Sequence, residues 1–363
     1  MVFRVVRGWM LAGLLLTGPV VSAEEKELTF FNWKDYMDPV VIGDFQVESR
    51  IAVNEPVYNS EAEFRQAMRR DASRYDVVVT SSTTLAREIG DGWYRRLDKR
   101  QLSQAKFLDS RLLAQLANVD PGNGYAVPYL WGTIGLGVIP EKIMAATGEA
   151  LPLDTWRLVF DLDYVRKVSR CGIAMVDSPE TVFPVALHYL NLPPSSTALY
   201  DYQRAGMMLS KVAPFVRRFD NQFVNDFAEG KYCVVLGASG DVLLAAARAE
   251  RSKKPYTIRY VIPKEGTSLW FDVLAIPARA KHPGYAHAFI NYVLRYRNMA
   301  QISNYVAYAN PVPVADSEVY SDIRDNPGIY PSQQVRATLF TTTTGRAQDA
   351  LREQLWSRIR AGH

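Results

Sequence analysis

The chain has 363 residues, 48% of them hydrophobic and 22% charged, which exceeds one typical core and points to two lobes. Its formal net charge of +4 is too small to argue for nucleic acid or an anionic membrane, so Arg69-Arg70, Arg95-Arg96 and Arg217-Arg218 read as solvated faces. Two cysteines and four scattered histidines give no metal-ligand spacing, and no metal or cofactor is expected.

Arg4 and Arg7 precede an apolar run at 9–21 that ends in Val21-Ser22-Ala23, a small-residue cleavage pattern. Residues 1–23 therefore read as an export signal of bacterial style, and the mature chain as periplasmic. The run is short for a bilayer, and no later stretch approaches the ~18–20 uninterrupted apolar residues of a spanning helix, so no membrane insertion is expected.

A first strand at 27–32 leads into a turn carrying Trp33, Asp35 and Tyr36, then a helix with Asp38 as N-cap and Pro39 at its first position. This sets rings and a carboxylate at a strand's carboxyl end, where open α/β sheets bind ligands, and the mixture suits an organic cation. Residue type alone favours the plainer reading of core aromatics and a turn acid. A strand at 51–58, a capped helix at 60–70 and a strand at 75–80 follow, with Ser81 and Ser82 opening the next helix. Such βαβα alternation predicts a parallel-rich sheet with helices on both faces.

Turn formers at Asp120-Pro-Gly-Asn-Gly124 precede paired apolar segments at 125–138, where the chain first crosses between lobes. A second unit then repeats the alternation: strands at 171–177, 216–219 and 232–237, helices at 179–190, 198–212, 221–229 and 240–252. Strands at 256–263 and 269–277 return to the first lobe. A long helix at 285–304 and a tail from Pro311 ending in an amphipathic helix at 347–360 complete the reading. Lobe 1 is expected to be 24–130 with 257–305, and lobe 2 to be 131–256 with 306–363.

Cys171 and Cys233 each start an apolar strand-like run. In an oxidising compartment the pair can close a disulfide, worth about 4 kcal/mol for a loop of some sixty residues. Two buried free thiols are the alternative.

Asp272 is the sharpest anomaly, a carboxylate in the apolar run Leu269-Trp270-Phe271-Asp272-Val273-Leu274. Buried and unpaired it would cost several kcal/mol or lose its charge, so it needs a ligand amine or a structural Arg. Strand alternation puts Trp270 on the same face. Asp241 begins a helix directly after a strand, where capping alone would explain it; Ser81 has the same ambiguity, and Tyr308 could be plain core. Catalytic motifs are missing: no Gly-x-Ser-x-Gly elbow, phosphate loop or His-Glu-x-x-His occurs, Gly-x-Gly at 135–137 lacks dinucleotide spacing, and His188 reads as packed. The chain does not read as an enzyme.

Nearly the whole mature chain resembles the periplasmic polyamine-binding proteins of ABC transporters, most closely the putrescine-binding branch. The matching stretches are Asn32-Trp33-x-Asp35-Tyr36, Tyr75-Asp-Val-Val-Val-x-Ser81, Ala126-x-Pro-Tyr129-x-Trp131-Gly-Thr, Asp177-x-Pro-Glu180, Gly240-Asp241, Ile262-Pro-Lys-Glu-Gly266, Trp270-Phe-Asp272, Tyr308-Ala-Asn310 and Asn326-Pro-Gly-Ile-Tyr-Pro331. The resemblance implies the type II solute-binding fold: two α/β lobes, each a mainly parallel sheet flanked by helices, clamping a ligand between them. It implies ligand contacts at Trp33, Tyr36, Ser81, Asp241, Trp270, Asp272 and Tyr308, with Asp35 at the mouth, and places Cys171 and Cys233 at that branch's cysteine pair. It also implies a small-molecule amine as ligand, an inner-membrane ABC permease as partner, and action as a monomer. A sensor of the same fold that docks on a membrane signalling receptor is the alternative.

Three departures stand out against the putrescine binders: Lys34 in place of Ser, Thr181 in place of a ligand-facing Glu, and Ala238 in place of a stacking Trp. A Lys ammonium about 5 Å from a ligand ammonium would cost roughly 3 kcal/mol at an effective dielectric near 20. Losing a cation–π ring would cost ~0.5–2 kcal/mol more. The changes would suit an ω-amino acid or an acidic polyamine conjugate.

Overall fold

The computed structural model describes residues 26–343 and 345–362, so the expected signal at 1–23 lies outside the described residues. Eleven strands are found among them: β1 (Glu27–Trp33), β2 (Ala52–Asn54), β3 (Val57–Tyr58), β4 (Val77–Ser81), β5 (Ala126–Val138), β6 (Ile173–Met175), β7 (Arg218–Phe219), β8 (Val234–Ala238), β9 (Arg259–Val261), β10 (Thr267–Ala275) and β11 (Leu339–Phe340). Pairing runs β2-β1-β4-β10-β5-β8-β6-β7, with β3 beside β1, β9 beside β5 and β11 beside β10. At each end the strands are parallel, β1 with β2, β3 and β4, and β6 with β7 and β8. The middle is antiparallel: β10 against β4 and β5, β5 against β8 and β9. No described helix is long and apolar enough to cross a membrane.

Local chemistry explains the helix starts. Asp38 accepts the Val40 N–H at 2.8 Å with Pro39 at N1, and Ser60 and Ser178 cap the helices Glu61–Asp71 and Pro179–Tyr189 in the same way. The expected strand at 51–58 is interrupted at Glu55-Pro56, because Pro56 has no N–H to give a ladder; its carbonyl still accepts the Asn32 N–H at 3.1 Å. Within 125–138, Ala126–Val138 form one strand, buried throughout, where paired apolar segments were expected. The helix expected at 285–304 is two, Pro283–Val293 and Tyr296–Val306, because Arg295 leaves helical geometry (ψ 135°) and forks onto Glu48 at 2.6 and 2.7 Å.

Buried side chains gather in two main cores. One takes residues from 28–131, 269–276 and 286–329; the other takes 134–236 together with Trp356 and Ile359. Segment 309–329 thus packs in the first core, not with the second lobe as the expected boundary at 306 had it: Ala309, Val312, Ala315, Val319, Ile323 and Ile329 all lie in the first cluster. The chain therefore passes between cores three times: along β5, before β10, and between about 330 and 350. Cys171 and Cys233 are joined by a disulfide, Cα to Cα 5.5 Å, tying the approach to β6 to the start of β8 in the second core. Gly135 and Gly137 sit inside β5, which accounts for that Gly-x-Gly without any nucleotide.

Candidate functional site

The carboxyl ends of β1, β4 and β8 and the middle of β10 meet where the two cores adjoin. Asp272 on β10 pairs in register with Ser81 at the end of β4, and Trp270 with Gly132 on β5. The Asp272 carboxyl is 7% exposed, and among the described residues no cation forms an ion pair with it. Burial, and next the charge of Glu61, push its pKa up to about 8, while the neighbouring Tyr36 hydroxyl pulls the other way. That hydroxyl is itself buried without a hydrogen bond of good geometry.

Three rings wall the carboxylate. Tyr308 stands edge-on to Tyr36 at 5.9 Å and to Trp270 at 5.2 Å between centroids. The backbone holds each in place for local reasons. Tyr129 donates its hydroxyl to the Tyr36 carbonyl at 2.7 Å, fixing the turn after Asp35, which takes a left-handed φ of 57°. Tyr308 follows Ala307, the left-handed residue that ends the helix Tyr296–Val306, and its neighbour Ala309 is bonded to the Trp131 N–H at 2.9 Å.

Two glycines make room for this packing. A Cβ on Gly240 would lie 2.1 Å from the Tyr308 hydroxyl oxygen, and one on Gly132 would lie 2.7 Å from the Trp270 ring. Neither position can carry a side chain without moving a ring.

Asp241 lies in the first turn of the helix Ser239–Arg251, half-buried, and desolvation raises its pKa to about 6. Its side chain caps nothing, since that helix has no side-chain cap, so the capping explanation open in the sequence does not apply. Ser81 does cap: its Oγ accepts the Thr83 N–H at 3.3 Å and meets Thr83 Oγ1 at 2.9 Å. Trp33 is half-buried against Tyr58, centroids 4.3 Å apart.

The three residues expected to depart from the family pattern lie differently. Lys34 and Asp35 are exposed between Trp33 and Tyr36. The Thr181 hydroxyl meets Ser178 Oγ at 2.9 Å within a helix cap, and Ala238 is half-buried just before the helix that carries Asp241.

Residues the sequence did not single out complete the surroundings. Glu61 is close enough to raise the Asp272 pKa, and its own is raised, first by burial. In the sequence it reads only as an acid in a helix's first turn with Arg65 four residues on, a pair that does form at 2.9 Å. Tyr260, bonded to Thr133 at 2.7 Å, adds a half-buried phenol near Tyr308. The three described histidines are structural: His188 meets the Glu265 carbonyl at 2.6 Å, His282 meets Asp76 at 3.2 Å, and His287 accepts the Asp98 N–H at 2.8 Å.

The arrangement of a buried carboxylate with no cationic partner among the described residues, set within aromatic walls, can hold an organic cation by charged hydrogen bonds and ring faces. Comparisons agree in kind. The family model for bacterial extracellular solute-binding proteins matches residues 50–329. The putrescine-binding periplasmic protein SpuD of Pseudomonas aeruginosa is 38% identical over 362 residues, 98% of each chain. The putrescine-binding periplasmic protein PotF of Escherichia coli is 38% identical over 97% of each. Among solved structures, the spermidine/putrescine ABC transporter substrate-binding protein PotD from Streptococcus pneumoniae superposes with a TM-score of 0.79 at 22% identity, over 93% of this chain and 99% of that one.

Proposed function

We infer, since the chain belongs to the bacterial extracellular solute-binding proteins, that its cleft receives a polyamine of the putrescine or spermidine kind and hands it to an inner-membrane ABC permease. The protein is a periplasmic binding component of such a transporter and not an enzyme. The observation that carries the ligand reading is Asp272, a buried carboxylate for which the described residues supply rings and no cation. In this reading Asp272 and Asp241 each accept an ammonium group. Trp33, Tyr36, Trp270 and Tyr308 cover the methylene chain, and Ser81 offers an oxygen beside Asp272. Binding then replaces a desolvated, partly protonated carboxyl by an ion pair with hydrogen bonds, which turns a folding cost into ligand affinity.

A second ligand class has one observation of its own. The Trp270 Nε1 proton is buried with no acceptor, an unmet donor in the wall of the cleft. A ligand carrying an oxygen, such as an ω-amino acid or an acidic polyamine conjugate, would satisfy it, and Thr181 in place of an acid removes a charge that would repel such a ligand. Calorimetric titration of the purified protein with putrescine, spermidine and 4-aminobutyrate tests both. Binding of either amine supports the first reading; binding of 4-aminobutyrate alone supports the second; heat from none of the three rejects both.

A further inference from the structure

Outside the cleft, the helix Ser82–Gly90 and the C-terminal helix Arg346–Ala361 face each other across the boundary between the cores. The first is rooted in the first core by Leu85 and Ile89; the second is rooted in the other by Trp356 and Ile359. The C-terminal helix is fixed further by Asp177, which accepts the Trp356 Nε1 proton at 2.8 Å and pairs with Arg360 at 2.6 Å. Two ion pairs span the boundary: Arg87 with Asp349 at 3.3 Å, and Arg346 with Asp91 at 3.1 Å. Asp349 is held toward Arg87 from behind by Arg352, 2.5 Å away on its own helix. A cavity of about 500 Å³ lies beneath, lined by residues of both lobes, Thr83 and Glu180 among them.

We propose that Arg87, Asp91, Arg346 and Asp349 set the affinity of the cleft from outside it, as clasps that hold the lobes together once they have closed. The proposal rests on the cleft being a ligand clamp. The coupling is direct: Ser81, paired with Asp272, is the cap of the helix that carries Arg87 and ends at Asp91. Parting the lobes must carry Asp349 away from Arg87 and Arg346 away from Asp91 while Ser81 leaves the ligand. The pairs are partly exposed, with side-chain exposures of 37% and 27% for Arg87 and Asp349 and 81% and 39% for Arg346 and Asp91. Each therefore contributes a modest, salt-screened factor of about 2- to 5-fold in ligand affinity. Against them acts Glu61 opposite Glu180, like charges from the two lobes near enough for Glu180 to raise the Glu61 pKa, though burial raises it more. The closed state is thus a balance that four charges outside the cleft can tip.

Small-angle scattering and putrescine calorimetry on the full chain, from low salt to about 0.5 M NaCl, test this. The neutralised variant Arg87→Gln with Asp91→Asn should show a larger radius of gyration without ligand at low salt, bind putrescine several-fold more weakly, and lose most of the parent's salt dependence. The exchanged pair Asp91→Arg with Arg346→Asp should keep the parent's values, whereas Asp91→Arg alone should not. Circular dichroism on each variant separates opening from unfolding. A neutralised variant with the parent's radius, affinity and salt response overturns the clasps, as does an exchanged pair no better than Asp91→Arg alone. If the parent fails to bind putrescine, the ligand reading falls by itself, and the ligand-free scattering decides the clasps.

Discussion

Asp120, in the turn before β5, and Asp272, on the neighbouring strand β10, are both buried carboxylates, and the chain treats them in opposite ways. Asp120, fully buried, accepts the backbone N–H groups of Gly124, Tyr125 and Ala126 at 2.8 to 3.0 Å, so the turn that launches β5 meets its need completely. Asp272, a few residues along the adjoining β10, has rings for neighbours and beside them only one phenol hydroxyl and another acid. A carboxylate satisfied by its own backbone is structure, and one left with an unmet need is, in the proposed function, the receptor. The seam between the Ser82–Gly90 and C-terminal helices is intermediate: charges matched by the chain, but only while the lobes meet.

Removing the unmet charge should break the contrast most severely. Asp272→Asn is expected to cost about 1.5–3 kcal/mol of amine affinity, the scale of a hydrogen bond to a charged group, or roughly 10- to 150-fold in Kd. The same change should raise the melting temperature of the ligand-free protein near neutral pH, because a strained carboxylate is gone. Calorimetry and thermal melting check the two together; unaltered putrescine affinity would remove Asp272 from the site.

Acidity offers a subtler handle. Asp272 titrates at about 8 and Asp241 at about 6, both through desolvation first. Their folded pKa values lie above the ordinary 3.8, so the ligand-free fold holds protons that the unfolded chain has released, and its stability declines as pH rises from about 4 to 8. An ammonium ligand needs both groups ionised and must expel those protons. Putrescine affinity should therefore rise up to about tenfold per pH unit between 6 and 8, with proton release seen as a buffer-dependent heat. A flat profile over that range would mean that neither acid changes its charge on binding.

Restoring a ring should sharpen the site. Ala238→Trp is predicted to gain ~0.5–2 kcal/mol for a diamine through a cation–π face, read as a lower Kd; no gain would show that position 238 does not reach the ligand. Lys34→Ser should give the smallest change. With Lys34 exposed, its charge is screened, and an effect within about fivefold on putrescine, spermidine and 4-aminobutyrate is expected. Weakened 4-aminobutyrate together with strengthened putrescine would instead favour the zwitterionic ligand.

Much of this was legible in the residues because it rested on local rules. Capping by Asp38 and Ser60 could be read at once, and Asp272 stood out because a carboxylate in an apolar strand has few innocent explanations. Glu61 was hidden by an innocent one, since an acid in a helix's first turn with an Arg four residues later needs nothing more. The segment 309–329 was assigned to the other core because its short turns carry no periodicity, and its partner is chosen by tertiary contacts such as the Trp131 indole on the Asn310 carbonyl. Gly132 and Gly240 gave no signal either: the demand for a bare Cα comes from Trp270 and Tyr308, distant in sequence.

The threefold passage of the chain between its cores bears on how such a protein can change over generations. Each core is assembled from pieces that are discontinuous in the gene, and β5 and β10 lend residues to both. A single genetic crossover near 132 would keep the second core whole from one parent but split the first between two. Exchanging one lobe with a relative takes three coordinated junctions, so new ligand preferences are reached more readily by point substitutions in the cleft wall, and the substitutions at 34 and 238 proposed above test that route.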